Sequence, residues 1–165
     1  MKKKDGTFEE ELVKFEKKPY VYESRNFTGS SVKHETNEIQ INIDKIESKQ
    51  ITDSEFNHGL QDSLIRKLKR GSVPIFQEID MHGLKYQEAI EVLNKSINQI
   101  SERKSVCVLF IHGKGLGSAN RTPIIKPLVK QFLSYHPRVL AYTPASKRLG
   151  GDGATLALIQ RIKQK

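Results

Sequence analysis

The chain holds a single cysteine in 165 residues, no apolar run longer than six residues, and a hydrophobic content of only 36%. One cysteine closes no internal disulfide, which excludes a disulfide-stapled scaffold and fits a reducing compartment. Cys107 lies inside Val106-Cys107-Val108-Leu109-Phe110-Ile111 and reads as a core residue. A membrane-spanning helix needs ~20 apolar residues, far more than any run here. Met1-Lys2-Lys3-Lys4 leads into Asp, Gly and Glu, so no secretory signal is expected there. These absences together predict a cytoplasmic protein without membrane contact. The low apolar content predicts a chain that is only partly built around a core.

Charge is present in excess, and unevenly. Residues 66–165 carry 18 Lys/Arg against 6 Asp/Glu, while residues 1–65 carry 10 against 13, so balances of +12 and −3 make up the net +9. A basic region of this kind is the footprint of a phosphate-rich partner, or simply of a solubilising surface.

Three segments follow from the patterning: an N-terminal extension over 1–55, a basic helix and connector over 56–75, and a folded domain over 76–165. In the extension, Phe8, Leu12 and Phe15 share one face of a short amphipathic helix over 7–17. Residues 19–37 read as a polar linker, and Ile39, Ile41 and Ile43 alternate as in a short strand or extended coil. Leu60, Leu64 and Leu68 recur every four residues in a helix over 53–70, which Gly71 ends as the left-handed C′ residue. Arg66, Lys67, Lys69 and Arg70 crowd its last turn, more cations than the helix dipole calls for, so part of the cluster is assigned to nucleic-acid contact.

The folded part opens on Ile79-Asp80-Met81-His82, where the acid and the imidazole leave one side of a strand and two apolar groups anchor the other. A helix over 85–102 follows, striped by Tyr86, Ala89, Ile90, Leu93, Ile97 and Ile100. The continuous apolar run 106–111 is a strand buried on both faces. A second helix spans 123–135 through Ile124, Leu128, Phe132 and Leu133, with Pro127 near its first turn. Strands over 139–143 and 154–159 end the chain. The order βαβαββ predicts a two-layer α/β sandwich, a four-stranded sheet carrying both helices on one face, preceded by an extended or helical N-terminal extension.

Two strands end alike. His82-Gly83 and His112-Gly113-Lys114-Gly115 each deliver a His into a glycine turn. Cutting a phosphodiester takes a nucleophile, proton transfer and stabilisation of charge on the phosphoryl oxygens. In RNA the 2′-hydroxyl can be the nucleophile, so a His can act as general base without a metal. His82 is the candidate base with Asp80 orienting it, and His112 is a partner acid or a phosphate ligand. Backbone amides of Gly113, Gly115 and Gly117, with Lys114 and Arg121, are candidate phosphate contacts. Gly150, Gly151, Asp152 and Gly153 form a turn that lines the site. The alternative for Asp80 is a cap on the turn after its strand, and for either His a hydrogen-bonded structural role. No cofactor is required by these residues; Mg²⁺ or Mn²⁺ remains open, although no dense acidic cluster suits a two-metal nuclease.

Asp80-Met81-His82-Gly83, His112-Gly113-Lys114-Gly115 and Gly150-Gly151-Asp152-Gly153, in that order and spacing, closely resemble the Smr (small MutS-related) domain over residues 76–160. The resemblance implies the fold of the C-terminal domain of a bacterial translation initiation factor, nucleic-acid binding and, in many members, endonuclease activity. The run Arg66 to Gly71 before the first strand also looks like the stand-alone bacterial branch, which includes a nuclease cleaving mRNA on collided ribosomes. In that branch an N-terminal extension helps to engage the ribosome. Three features depart from the family pattern. Met81 replaces the usual Leu, and segment 116–122 is long. Lys85 stands where Thr often caps the helix, weakening that helix start by about 1 kcal/mol. Three readings follow: an endoribonuclease acting on mRNA at ribosomes, a DNA nicking or branch-processing nuclease, and a non-catalytic RNA- or ribosome-binding adaptor.

Overall fold

The structure, a computed structural model, describes residues 51–100, 104–115 and 123–160. The expected helix over 7–17, the strand over 39–43, Gly117 and Arg121 lie outside the described residues. The elements run β1 (Glu55–Phe56), α1 (Asp62–Arg70), β2 (Ile75–Asp80), α2 (Tyr86–Asn98), β3 (Val106–Ile111), α3 (Ile125–Tyr135), β4 (Val139–Pro144) and β5 (Ala154–Ile159). They form one five-stranded sheet in the order β1-β4-β5-β3-β2. Only β2 and β3 pair in parallel, and the thirteen-residue α2 makes the crossover such a pair requires.

The α/β class and the four long strands match the sequence expectation; the layering does not. Alternation along β3 sends Val108 and Phe110 to one face, against Ala89, Leu93 and Ile97 of α2 and Leu128, Val129 and Phe132 of α3. Cys107 and Leu109 go to the other face, where Leu156 and Leu158 of β5 meet Leu60 and, from α1, Leu64 and Leu68. The sheet is therefore covered on both sides, in three layers rather than two. A strand apolar on both faces demands two covers, and the Leu60-Leu64-Leu68 stripe supplies the second. Helix α1 packs on the same sheet as the elements after residue 76, and β1 pairs antiparallel with β4 as a fifth strand. At two residues β1 is too short to show a period.

Helix ends explain how far each helix runs. Helix α1 stops at Gly71 in the left-handed region (φ 67°), with the Gly71 and Ser72 amides donating to the Leu68 and Lys67 carbonyls at 2.9 Å each. Helix α2 stops at Asn98, short of the expected 102. Arg138, from the segment leading into β4, reaches under its end and donates to the carbonyls of Ile97 and Ile100 at 2.7 Å each, and to Gln160 at 3.2 Å. A buried guanidinium thus satisfies carbonyls that a helix end otherwise leaves unpaired. Pro127 is the third residue of α3, where a missing N–H costs nothing. At the start of α2, Lys85 provides no cap, as expected, but the Glu88 carboxylate accepts the Lys85 amide at 2.9 Å and restores half of a capping box. Among the described residues no helix is long and apolar enough to cross a membrane.

Two outcomes test this account. Arg138→Ala strands the buried carbonyls of Ile97 and Ile100 and is expected to lower stability to urea by about 3 kcal/mol, with Arg138→Lys recovering part. His136 is buried against Phe132, its Nδ1 accepting the Arg138 amide at 3.1 Å, and burial first, then the Arg138 charge, pushes its pKa down to about 3. The folded ring stays neutral while an unfolded ring takes a proton below about 6.5. The resulting stabilisation is complete above that pH and is lost as pH falls towards 3. Denaturation between pH 5 and 7 should therefore show stability declining with acid, and a shallower slope in His136→Gln.

Candidate functional site

Pairing of β2 with β3 aligns Asp80 with Ile111, and the Met81 amide carries the pairing one step further by donating to the Ile111 carbonyl at 2.8 Å. The two strands therefore end level, and His82 and His112 follow at one edge of the domain. Met81 is fully buried among the α2 and α3 side chains, so Asp80 and His82 turn the other way, into solvent.

Asp80 Oδ1 accepts two hydrogen bonds from His82, one from the backbone amide at 3.0 Å and one from ring Nδ1 at 2.5 Å. The amide first, then the ring, holds the Asp80 carboxyl below the usual carboxylate range, so it is anionic at neutral pH. A carboxylate only accepts, so Nδ1 carries the proton and the lone pair of the neutral ring is at Nε2. This is the tautomer of a general base whose orientation is fixed by an acid.

His112 is placed differently. Its ring is buried, with Nδ1 2.9 Å from the Gly113 carbonyl and Nε2 3.0 Å from Thr155 Oγ1. A carbonyl only accepts, so Nδ1–H donates to Gly113 and Nε2 accepts from Thr155. Burial, and then the charges of Lys126 and Lys130, lower the pKa of this ring against the opposing pull of the Gly113 carbonyl. With both ring nitrogens hydrogen-bonded, His112 braces the glycine turn.

The third motif touches the second. The amides of His112 and Gly113 both donate to the Gly153 carbonyl, at 3.0 and 2.9 Å. The Gly113 amide, expected from the sequence as a phosphate contact, is thus paired within the fold. Gly115 has φ 77°, and a Cβ there would lie 2.6 Å from Pro123 Cα, so only glycine closes this turn onto the start of α3. Asp152 is exposed and lies 3.8 Å from Lys126 Nζ.

These turns and the first turns of α2 and α3 enclose an open cavity of about 840 Å³, lined by His82–Tyr86, His112–Gly115 and Pro123–Lys126. Lys114 lines it. Lys126, which also lines it, carries no signal in the sequence, because inside α3 it is merely a polar residue on an apolar helix. Tyr86 and Ile124, assigned to core stripes from their spacing, are 38% and 54% exposed and line the cavity instead.

Arg66, Lys67, Lys69 and Arg70 are not in the cavity but on α1, across the sheet from α2 and α3. Lys69 lies over the Phe56 ring at 5.0 Å, and Arg70 Nε donates to the Arg66 carbonyl at 3.3 Å. Arg148 Nη2 donates to the Gly71 carbonyl at 3.2 Å, which ties the end of α1 to the loop carrying Gly150–Gly153. Lys147 and Arg148, both exposed, extend the α1 cluster in a way the sequence order does not reveal. No three His, Cys, Asp or Glu side chains converge among the described residues. A divalent cation at Asp80 would rest on one carboxylate and on the phosphates of its ligand.

The family model for the Smr domain matches residues 79–160. Residues 79–160 form a Smr domain. The chain is 33% identical over 103 residues to the ribosome rescue factor SmrB of Shewanella sp. (strain ANA-3), covering 62% of this chain and 55% of that protein. It is 36% identical over 101 residues to the protein of that name from Shewanella baltica (strain OS155 / ATCC BAA-1091), covering 61% and 54%. The chain thus spans about half the length of the curated relatives it matches. Among solved structures it is similar to YdaL, a stand-alone small MutS-related protein from Escherichia coli, with a TM-score of 0.55 and 25% identity, over 66% of this chain and 83% of that one. The YdaL match reaches beyond the 82 residues of the Smr segment.

Gly115→Ala tests the geometry of the second Smr motif. A side chain forced onto Pro123 at positive φ is expected to cost about 1–3 kcal/mol, read by thermal or urea denaturation, whereas the same change at the half-buried Gly151 meets no atom within 4 Å and should cost less.

Proposed function

We propose that the protein is a Smr-type endoribonuclease that cleaves mRNA on stalled or collided ribosomes. The observation that carries this reading is the Asp80–His82 pair, an anionic carboxylate fixing an exposed imidazole with its lone pair at Nε2, beside a cavity lined by Lys85, Lys114 and Lys126. His82 Nε2 takes the proton of a ribose 2′-hydroxyl. The oxygen so activated attacks the adjacent phosphorus, and the 5′-oxygen leaves and is protonated by solvent. Products are a 2′,3′-cyclic phosphate and a 5′-hydroxyl. Lys114 and the amides of the Lys114-Gly115 turn hold the phosphoryl oxygens, and His112 holds that turn in shape through the Gly113 carbonyl. The name of the Shewanella relatives, ribosome rescue factor, supports the ribosomal setting. The α1 cations, with Lys147 and Arg148, supply the affinity for RNA backbone.

The test is cleavage of end-labelled single-stranded RNA in EDTA and in Mn²⁺ by wild type and by the double variant Asp80→Ala, His82→Ala. Cleavage in EDTA leaving 5′-hydroxyl ends, reduced about 10²–10⁴-fold in the variant, is the expected result. Cutting that requires Mn²⁺ would replace the 2′-hydroxyl mechanism by metal-assisted hydrolysis. Equal cutting by the variant would remove Asp80 and His82 from the chemistry. Reversing charge at Lys67 and Arg70 should weaken RNA binding across all sequences and reduce its salt dependence by about one contact per lysine or arginine lost.

A further inference from the structure

We propose that the cavity beside His82 receives one unstacked nucleobase, lying on the Tyr86 ring, and that this subsite restricts the enzyme to unpaired strands. The inference rests on the nucleolytic reading for its placement and deepens it by naming the form of the substrate.

A phosphate alone does not account for the cavity. Its volume of about 840 Å³ lies in the range of sites that enclose organic ligands, roughly 300–1,000 Å³. Its wall is mixed in a particular way. Four large hydrophobic side chains are exposed among the described residues, and two of them, Tyr86 and Ile124, line this one concavity. Single exposed apolar residues need no explanation; a ring and an aliphatic side chain in one cavity do. Lys85, Lys114 and Lys126 line the same space. Lys126 lies 3.8 Å from the exposed Asp152, a weak, screened pair. The ligand that fits is flat and apolar in one part and anionic in the next. Beside a base positioned to act on a phosphodiester, that is a nucleotide with its base turned out of the stack.

Stacking on an aromatic side chain serves any base, so the subsite confers little sequence preference. It does discriminate by structure, because a paired base must first be unpaired and unstacked to enter. Tyr86 is the first residue of α2 and half-exposed, so replacing it leaves the core intact.

The experiment is binding of fluorescently labelled ten-nucleotide strands, blocked against cleavage by 2′-O-methylation, to the full chain. Strands are intact or carry one abasic nucleotide, scanned along the sequence, and a fully paired duplex is the reference. Wild type is expected to prefer the intact single strand and to lose about 5- to 150-fold at one abasic position. Tyr86→Ala should lose a similar factor on the intact strand and become indifferent to that abasic position; Tyr86→Phe should restore both. An abasic penalty that persists in Tyr86→Ala, or unchanged binding of the intact strand, overturns the proposal. So does a change in sedimentation of Tyr86→Ala without a change in RNA binding, which would assign the cavity to a second copy of the chain. Wild type that shows the abasic effect yet cleaves no RNA would uphold the base subsite and defeat the nuclease reading. Cleavage that depends on Asp80 while Tyr86→Ala binds normally would do the reverse.

Discussion

The level ending of two parallel strands is the constraint on which the site depends. With Asp80 opposite Ile111, the backbone delivers His82 and His112 to neighbouring turns. A shift of one residue would turn Met81 into solvent and Asp80 into the core. Register is thus held by burial, since Ile79 and Met81 fill the layer between the sheet and α2 and α3 while Val108 and Phe110 do so from β3. The chemistry of the exposed side is carried by the packing of the hidden one.

From that arrangement the three motifs divide their work. The first carries the Asp80–His82 pair and keeps it in water. The second forms the turn, held from below by a buried His112 that spends both nitrogens on structure. The third contributes a single carbonyl, that of Gly153, which takes two amides and locks the turn to β5. Two histidines at matching strand ends therefore end in unlike environments. The difference comes from Thr155, distant in sequence but adjacent in the sheet.

Much of this was legible in advance. The 2-residue period over 79–82 placed Asp80 and His82 together, the apolar run 106–111 marked the central strand, and Gly71 marked the end of α1. What escaped reading has physical reasons. β1 has two residues and no period. The leucine stripe of α1 is visible in the sequence, but the face it covers is not, because residues of β3, β4 and β5 come together to make it. The role of His112 depends on partners brought in by tertiary pairing. Tyr86 and Ile124 have core-like spacing, yet both stand at helix starts, where the surface turns inward to form the cavity.

The claim at the centre is that the ribose 2′-hydroxyl, deprotonated by His82, is the nucleophile. The direct measurement is cleavage of an RNA strand in which the nucleotide on the 5′ side of a mapped cut carries a single 2′-deoxy substitution, all else unchanged. The account predicts that cutting at that bond disappears while neighbouring cuts persist. Cutting at an unchanged rate through the deoxy position would contradict it and assign attack to water.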